Sequence, residues 1–299
     1  MSFIGEDFRN FVQSTSRRDF IIEWLGSRGV KAVVMPIDGH EHIYVVFSRE
    51  SYSPFFKIKT VIAHYDIFPG SPGANDNSSS VFSLMNWAVK LNQSGTVHNV
   101  RLIFTDGEEM CEKPSQIRNS VSAQGAFGLA GVFKRLSITD DDVFVFDCTG
   151  RGNLPVLCKT VLPAKVSQKF RNRFNDLKYR IEQVLKKSSD GRFVNLPVSY
   201  SDNAGFLVNG IAAVQVTFLP QDEAEKYMYS LMNFPFLEEF VMNKKVPSGF
   251  NRSALEEMIP QTWKKLHTPE DNVISLDEES FVLMKKILDG IGMLKTAGS

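Results

Sequence analysis

Residues 60–80 read TVIAHYDIFPGSPGANDNSSS and bring an imidazole and a carboxylate to one strand end. The apolar run 61–63 predicts a buried strand that stops at His64, Tyr65 and Asp66. Pro69, Gly70, Pro72 and Gly73 turn the chain back toward that end, and the second visit delivers Asp76. The pair Glu108-Glu109 and the single Asp147 each follow another predicted strand, and His267 lies in a loop before the last helix. Two imidazoles and three carboxylates suit a pair of zinc-like ions with one carboxylate shared. Ions about 3.5–4 Å apart polarise a carbonyl and lower the pKa of a bound water to about 7. The glutamate left over from the Glu108-Glu109 pair is then available as the general base for that water.

The elements that must position these groups alternate. A helical region covers 5–29 and closes at Gly29; strands at 30–35 and 42–47 meet at the hairpin signal Asp38-Gly39. The strand at 57–63 precedes a helix at 80–91, and the strand at 99–104 opens into Asp106-Gly107-Glu108-Glu109. A helix at 125–136 and a strand at 142–146 follow, the strand ending in Asp147. Phe170, Phe174, Leu177, Ile181 and Val184 form the apolar stripe of a helix over 164–187. A strand at 211–218 and a helix at 278–294 complete the pattern. This order predicts an α/β fold, a three-layer α/β/α arrangement on a mostly parallel, mixed central sheet, with residues 1–299 as one catalytic domain. Ligands in such sheets bind at the carboxyl ends of the strands, where His64, Glu108, Glu109 and Asp147 fall.

Composition narrows the partners. Thirty-four Lys and Arg balance 34 Asp and Glu, which argues against a nucleic-acid partner. No apolar run reaches the roughly 18 residues of a membrane span. Cys111, Cys148 and Cys158, odd in number and without CxxC spacing, read as reduced thiols of a cytoplasmic protein. Arg17-Arg18 resembles a twin-arginine signal, but Glu23, Arg28 and Lys31 interrupt the apolar stretch such a signal needs, so an amphipathic helix is expected. The basic helix over 165–192 reads as a solvated face. Residues 220–260, rich in Met and aromatics from Tyr227 to Met242, are expected to form a lid or the wall of an apolar substrate pocket. His40 and His42 are expected to face solvent beside the hairpin turn, and His98 has no evident partner.

HYD at 64–66, GANDN at 73–77, DGEE at 106–109, the strand-end Asp147 and HTPED at 267–271 together resemble the zinc exopeptidase family of the bacterial leucine aminopeptidases. The resemblance spans roughly residues 40–294. It implies that Asp76 bridges two metals, that Glu109 and His267 complete one site, and that His64 and Asp147 complete the other. Glu108 falls at the position of the general base and Asp66 at that of the carboxylate orienting the first histidine. Asp76-Asn77 matches the place of a cis peptide, Asp271 that of a supporting carboxylate, and Asp202 and Phe206 a segment bordering the substrate. Residues 110–124 depart from the peptidases and resemble instead the glutaminyl cyclases, a one-zinc branch of the same fold. The larger zinc dipeptidases share the ligand order, but the stretch between Asp147 and His267 is too short for their inserted domain.

The resemblance thus implies a two-zinc aminopeptidase acting on peptides with a free N-terminus, with glutaminyl cyclisation at one zinc as the alternative. A metal-free scaffold relative would show a broken ligand set, and here the set is intact. No sequence feature assigns an oligomeric state.

Overall fold

The computed structural model describes residues 3–109, 121–163, 165–243 and 245–298. Its strands are β1 (Lys31–Ile37), β2 (His40–Val46), β3 (Lys59–His64), β4 (Val100–Thr105), β5 (Asp142–Phe146), β6 (Leu154–Cys158), β7 (Val194–Leu196) and β8 (Ala213–Leu219). They form one mixed sheet in the order β1-β2-β4-β3-β5-β8-β6-β7. The centre is parallel: β3 runs alongside both β4 and β5, and β8 alongside β5. β2 pairs antiparallel with β4, and β6 antiparallel with β8.

The helices in chain order are α1 (Glu6–Gln13), α2 (Arg17–Gly26), α3 (Ser79–Ser94), α4 (Gly125–Arg135), α5 (Gln168–Ser188) and α6 (Asn203–Val208). After β8 come α7 (Gln221–Asn233), α8 (Phe236–Asn243), α9 (Arg252–Glu256), α10 (Gln261–Lys265) and α11 (Glu278–Gly292). Strand alternation sorts the core into layers. Val61 and Ala63, Leu102 and Phe104, and Phe144 and Phe146 pack under α1, α2, α3, α5 and α11. Ile62, Ile103, Val143 and Val145 face the other way, under α4 and α6. Both faces of the inner strands are therefore covered, as parallel strands require.

The helical region expected over 5–29 consists of two helices, α1 and α2. Ser16 breaks it by capping α2, its hydroxyl accepting the Asp19 N–H, while the chain before it is extended. The strand at 142–146 is β5 itself, and the Asp38-Gly39 turn joins β1 to β2 with both residues at positive φ. β6 contains Pro155 and β7 has only three residues, so neither gave a strand pattern, and the six-residue α6 was equally silent.

Two expectations for histidines are corrected. β2 is not a free hairpin arm, because its second edge pairs with β4, and His42 is fully buried there. Its Nδ1 accepts the Asp106 N–H at 3.2 Å. His98 is also buried; its Nδ1 accepts the Val100 N–H at 3.0 Å and its ring meets Phe47 edge-on.

The Met- and aromatic-rich segment forms α7 and α8. Tyr227, Leu237, Phe240 and Val241 fill a core over β6, which is the covering role. Met228, Leu231 and the 82% exposed Met232 line a cavity of about 640 Å³ together with residues of β6, β7 and α5. None of His64, Asp76, Glu109, Asp147 or His267 lines it, so this cavity is separate from the strand-end residues. Cys148 and Cys158 are buried, unpaired thiols; Cys111 and most of the 110–124 loop lie outside the described residues. Among the described residues no helix is long and apolar enough to cross a membrane.

Burial holds both histidines down: His42, with help from the neighbouring His40, and His98, with help from Lys59, each lie at about 4. Above about 6.5 each is neutral whether folded or not; below it the unfolded chain takes up protons that the fold refuses. The stability that these two histidines contribute should therefore fall as pH drops from about 6.5 toward 4, by up to about 1.4 kcal/mol per pH unit for each. His98→Asn keeps an acceptor near Val100 and should flatten that slope, measured as urea unfolding free energy against pH; an unchanged slope would mean His98 does not titrate this way.

Candidate metal centre

β3 ends in the middle of the sheet, so His64 emerges between the ends of β4 and β5 and is only 1% exposed. Its Nε2 lies 3.2 Å from Asp76 Oδ1 and 3.6 Å from Asp147 Oδ1. On the other side His267 Nε2 lies 3.3 Å from Asp76 Oδ2 and 3.1 Å from Glu109 Oε2. Asp76 thus turns one carboxylate oxygen toward each imidazole. The potential donors fall into two groups, His64–Asp76–Asp147 and Asp76–Glu109–His267, each with its donor atoms within 4.8 Å of one another.

Local hydrogen bonds explain why chain segments so far apart meet here. Asp66 lies 3.5 Å from His64 Nδ1 and accepts the N–H groups of Glu108 at 3.3 Å and Glu109 at 2.8 Å. One carboxylate therefore orients an imidazole and fixes the turn after β4. Asp271 accepts the N–H groups of Asn75 at 2.8 Å and Asp76 at 3.1 Å, fastening the His267 loop to the Asp76 segment. Asn77 donates to Phe146 O and accepts the Cys148 N–H, gripping the chain on both sides of Asp147. The Asp76–Asn77 peptide bond is cis.

Glycine is required where this loop closes. Gly73 has φ +58°, and a Cβ there would lie 2.6 Å from Asp76 O and 2.8 Å from Ile67 Cγ2. Phe68, in the same loop, stacks on His267 with ring centroids 4.4 Å apart and planes at 8°. His267 itself takes a left-handed φ of +62° and remains 46% exposed at its side chain, whereas His64 is enclosed.

The electrostatics follow from crowding like charges in a poorly hydrated place. Burial pushes the carboxyl of Glu108 well above the usual carboxylate range; His64 opposes this, and Asp147, Glu109 and Asp202 add to it. Glu109 is raised chiefly by burial, against the pull of His267. Asp76 runs the other way: burial would raise it, but its contacts with His267 and His64 prevail and hold it low. Burial lowers His64, yet Asp147, Asp66 and Asp76 around it together raise it well above its ordinary value. Asp202 is raised by burial to about 7.

The structure brings His64, Asp66, Asp76, Glu108, Glu109, Asp147 and His267 to one place. Asp202 joins their outskirts: Thr105, the last residue of β4, donates to its Oδ2 at 2.5 Å, and its buried Oδ1 makes no hydrogen bond. Phe206 is placed elsewhere. Its ring is fully buried between α4 and α6, edge-on to Phe133, where it fills the core and offers no surface to a substrate. Sequence reasoning missed Phe68 and the double grip of Asn77; an aromatic among turn residues and the second Asn of GANDN were the available signals.

A family model described as Peptidase family M28 matches residues 47–289. No curated protein sequence matches the chain. Among solved structures, a leucine aminopeptidase precursor from Bacteroides thetaiotaomicron is similar with a TM-score of 0.63 at 16% identity, covering 98% of this chain and 97% of that one. A Zn-dependent exopeptidase from Parabacteroides distasonis gives 0.61 at 15% identity, over 98% and 97% of the two chains. A glutaminyl cyclase from Porphyromonas gingivalis gives 0.59 at 15% identity, over 96% of each. At such identities these likenesses bear on the fold. The family match covers most of the chain and includes every residue of the two donor groups, so the chain belongs to peptidase family M28 and is a metallopeptidase in kind.

Proposed function

We propose that this chain is an aminopeptidase with two zinc sites, acting on short peptides with a free N-terminus. The observation that carries the reading is the carboxylate of Asp76, with Oδ1 toward His64 and Oδ2 toward His267, as a bridging ligand would be held. The donors fit zinc: each group offers one imidazole and two carboxylates. His64 Nε2 and Asp147 Oδ1 are moreover buried without a hydrogen bond, a costly state unless a cation satisfies them. Asp76 would serve both ions, with His64 and Asp147 holding one and Glu109 and His267 the other. Zinc bound there supplies a polarised scissile carbonyl and an acidified water.

The chain's own residues do the rest. Glu108, beside the clusters and with its proton affinity raised by burial, takes the proton from the attacking water and passes it to the departing amine. Asp66 holds the His64 ring and the Glu108-Glu109 turn in register. Asp202 borders the substrate, its free Oδ1 available to a donor on the peptide. Residues 1–299 would act as one catalytic domain.

Glutaminyl cyclases share the fold, so cyclisation of N-terminal glutamine at one zinc is the competing reading. The complete His64–Asp76–Asp147 group favours two ions. Metal analysis of protein purified without chelator, with a panel of aminoacyl anilides, separates them. Two zinc ions per chain and chelator-sensitive release of the N-terminal residue are expected. One ion, no cleavage and ammonia release from glutaminyl peptides would replace this reading. Glu108→Gln should retain both ions and lose about 10²–10⁴-fold in kcat; full turnover would remove Glu108 from the base role. Asp66→Ala should weaken zinc binding by about 10–100-fold in a chelator competition, because it releases both His64 and the turn.

A further inference from the structure

Arg17, the first residue of α2, lies upstream of the residues matched to the family, 47–289. A cation is poorly placed at a helix N-terminus, where the dipole is positive, and Arg17 is also only 6% exposed. Among the described residues no carboxylate forms an ion pair with it that would account for its burial. Its two Nη groups bond main-chain carbonyls instead, while Nε stays buried without a partner among the described residues. Nη2 donates to Pro72 O at 2.7 Å and to Gly73 O at 3.4 Å, and Nη1 reaches Tyr65 O at 3.5 Å. Tyr65 stands between His64 and Asp66 at the start of the loop; Gly73 stands three residues before Asp76 at its end. One planar group thus spans both ends of the loop that makes the chain visit the site twice, a geometry that suits guanidinium and not an ammonium. Phe11 of α1 closes the outer side, 5.3 Å from the guanidinium carbon.

The same cation feels the field of Asp271, Asp76, Asp66 and Glu109, although none of them forms an ion pair with it. Before any ion is bound, these carboxylates repel one another in a setting that screens charge poorly. A fixed positive charge beneath them offsets that repulsion without occupying the position of a ligand.

We propose that Arg17 is a positioning residue: by bridging Tyr65 to Pro72 and Gly73 it holds Asp66 and Asp76 at the spacing the two donor groups require before metal enters. This rests on the metal-site reading above, and the test separates the two. Metal-free wild type, R17M and R17K would be compared by hydrogen exchange and by zinc affinity in competition with a chromogenic chelator, with kcat and KM for an aminoacyl anilide. R17M should exchange faster in peptides covering 64–78 than in the rest of the chain. It should also bind zinc at least tenfold more weakly and lose at least tenfold in kcat with KM little changed. R17K should recover part of the affinity, since an ammonium restores the charge but not the double bridge. Unchanged exchange over 64–78 with unchanged zinc affinity in R17M overturns the proposal, as does faster exchange spread evenly over the chain, which would mark Arg17 as a general prop for α2. Should R17M fail to fold, R17K decides, and wild-type exchange and affinity in that variant overturn it. Wild type that binds no zinc defeats the metal reading, and exchange over 64–78 then decides the role of Arg17 alone.

Discussion

Everything at the sheet's upper edge depends on holding several carboxylates within a few ångströms of each other and largely out of water. Left to themselves such groups would separate or take up protons. Here Asp66 is tied by two main-chain N–H groups and Asp271 by two more, while Asp76 has an imidazole nitrogen within 3.3 Å on either side. The acceptors of one segment are satisfied by donors of another. The site is therefore a network joining β3, the turn after β4, the end of β5 and the loop before α11, and no one of these segments holds its geometry alone.

Topology makes that network possible. β3 is central and parallel to both neighbours, so the residues following β3, β4 and β5 emerge side by side at one edge. The loop from Tyr65 to Gly73 then folds back so that α3 starts beside the strand it left. Asn77 completes the closure by bonding on both sides of Asp147. The antiparallel flanks, β1 with β2 on one side and β6 on the other, extend the sheet without contributing to the donor groups.

Much of this was legible in the sequence because the relevant signals were strong and local. Buried runs ending abruptly in His64, Glu108-Glu109 and Asp147 marked strand ends, and β5 matched its expected bounds. Proline and glycine between Asp66 and Asp76 marked the return loop. What failed was whatever depended on a neighbour far away in sequence. His42 is buried because β4 lies along the second edge of β2, and Phe206 is core because Phe133 of α4 meets it. Arg17 looked like part of an amphipathic helix; nothing near it in sequence says that its partners are carbonyls of residues 65, 72 and 73. Within 220–260, which had the composition of a pocket wall, tertiary packing places Tyr227, Leu237, Phe240 and Val241 in a core over β6, while Met228, Leu231 and Met232 line a cavity.

The two imidazoles differ in one respect that gives the centre a direction. His64 is sealed beneath the loop, while nearly half of the His267 side chain faces solvent, backed on one side by the Phe68 ring. An ion on the His267 side would have a short path to bulk water; one on the His64 side would have to leave past its neighbour. On the proposed two-ion reading, exchange at such a centre would be sequential: the outer position would empty and refill first, and a chain stripped of one ion would keep the inner one.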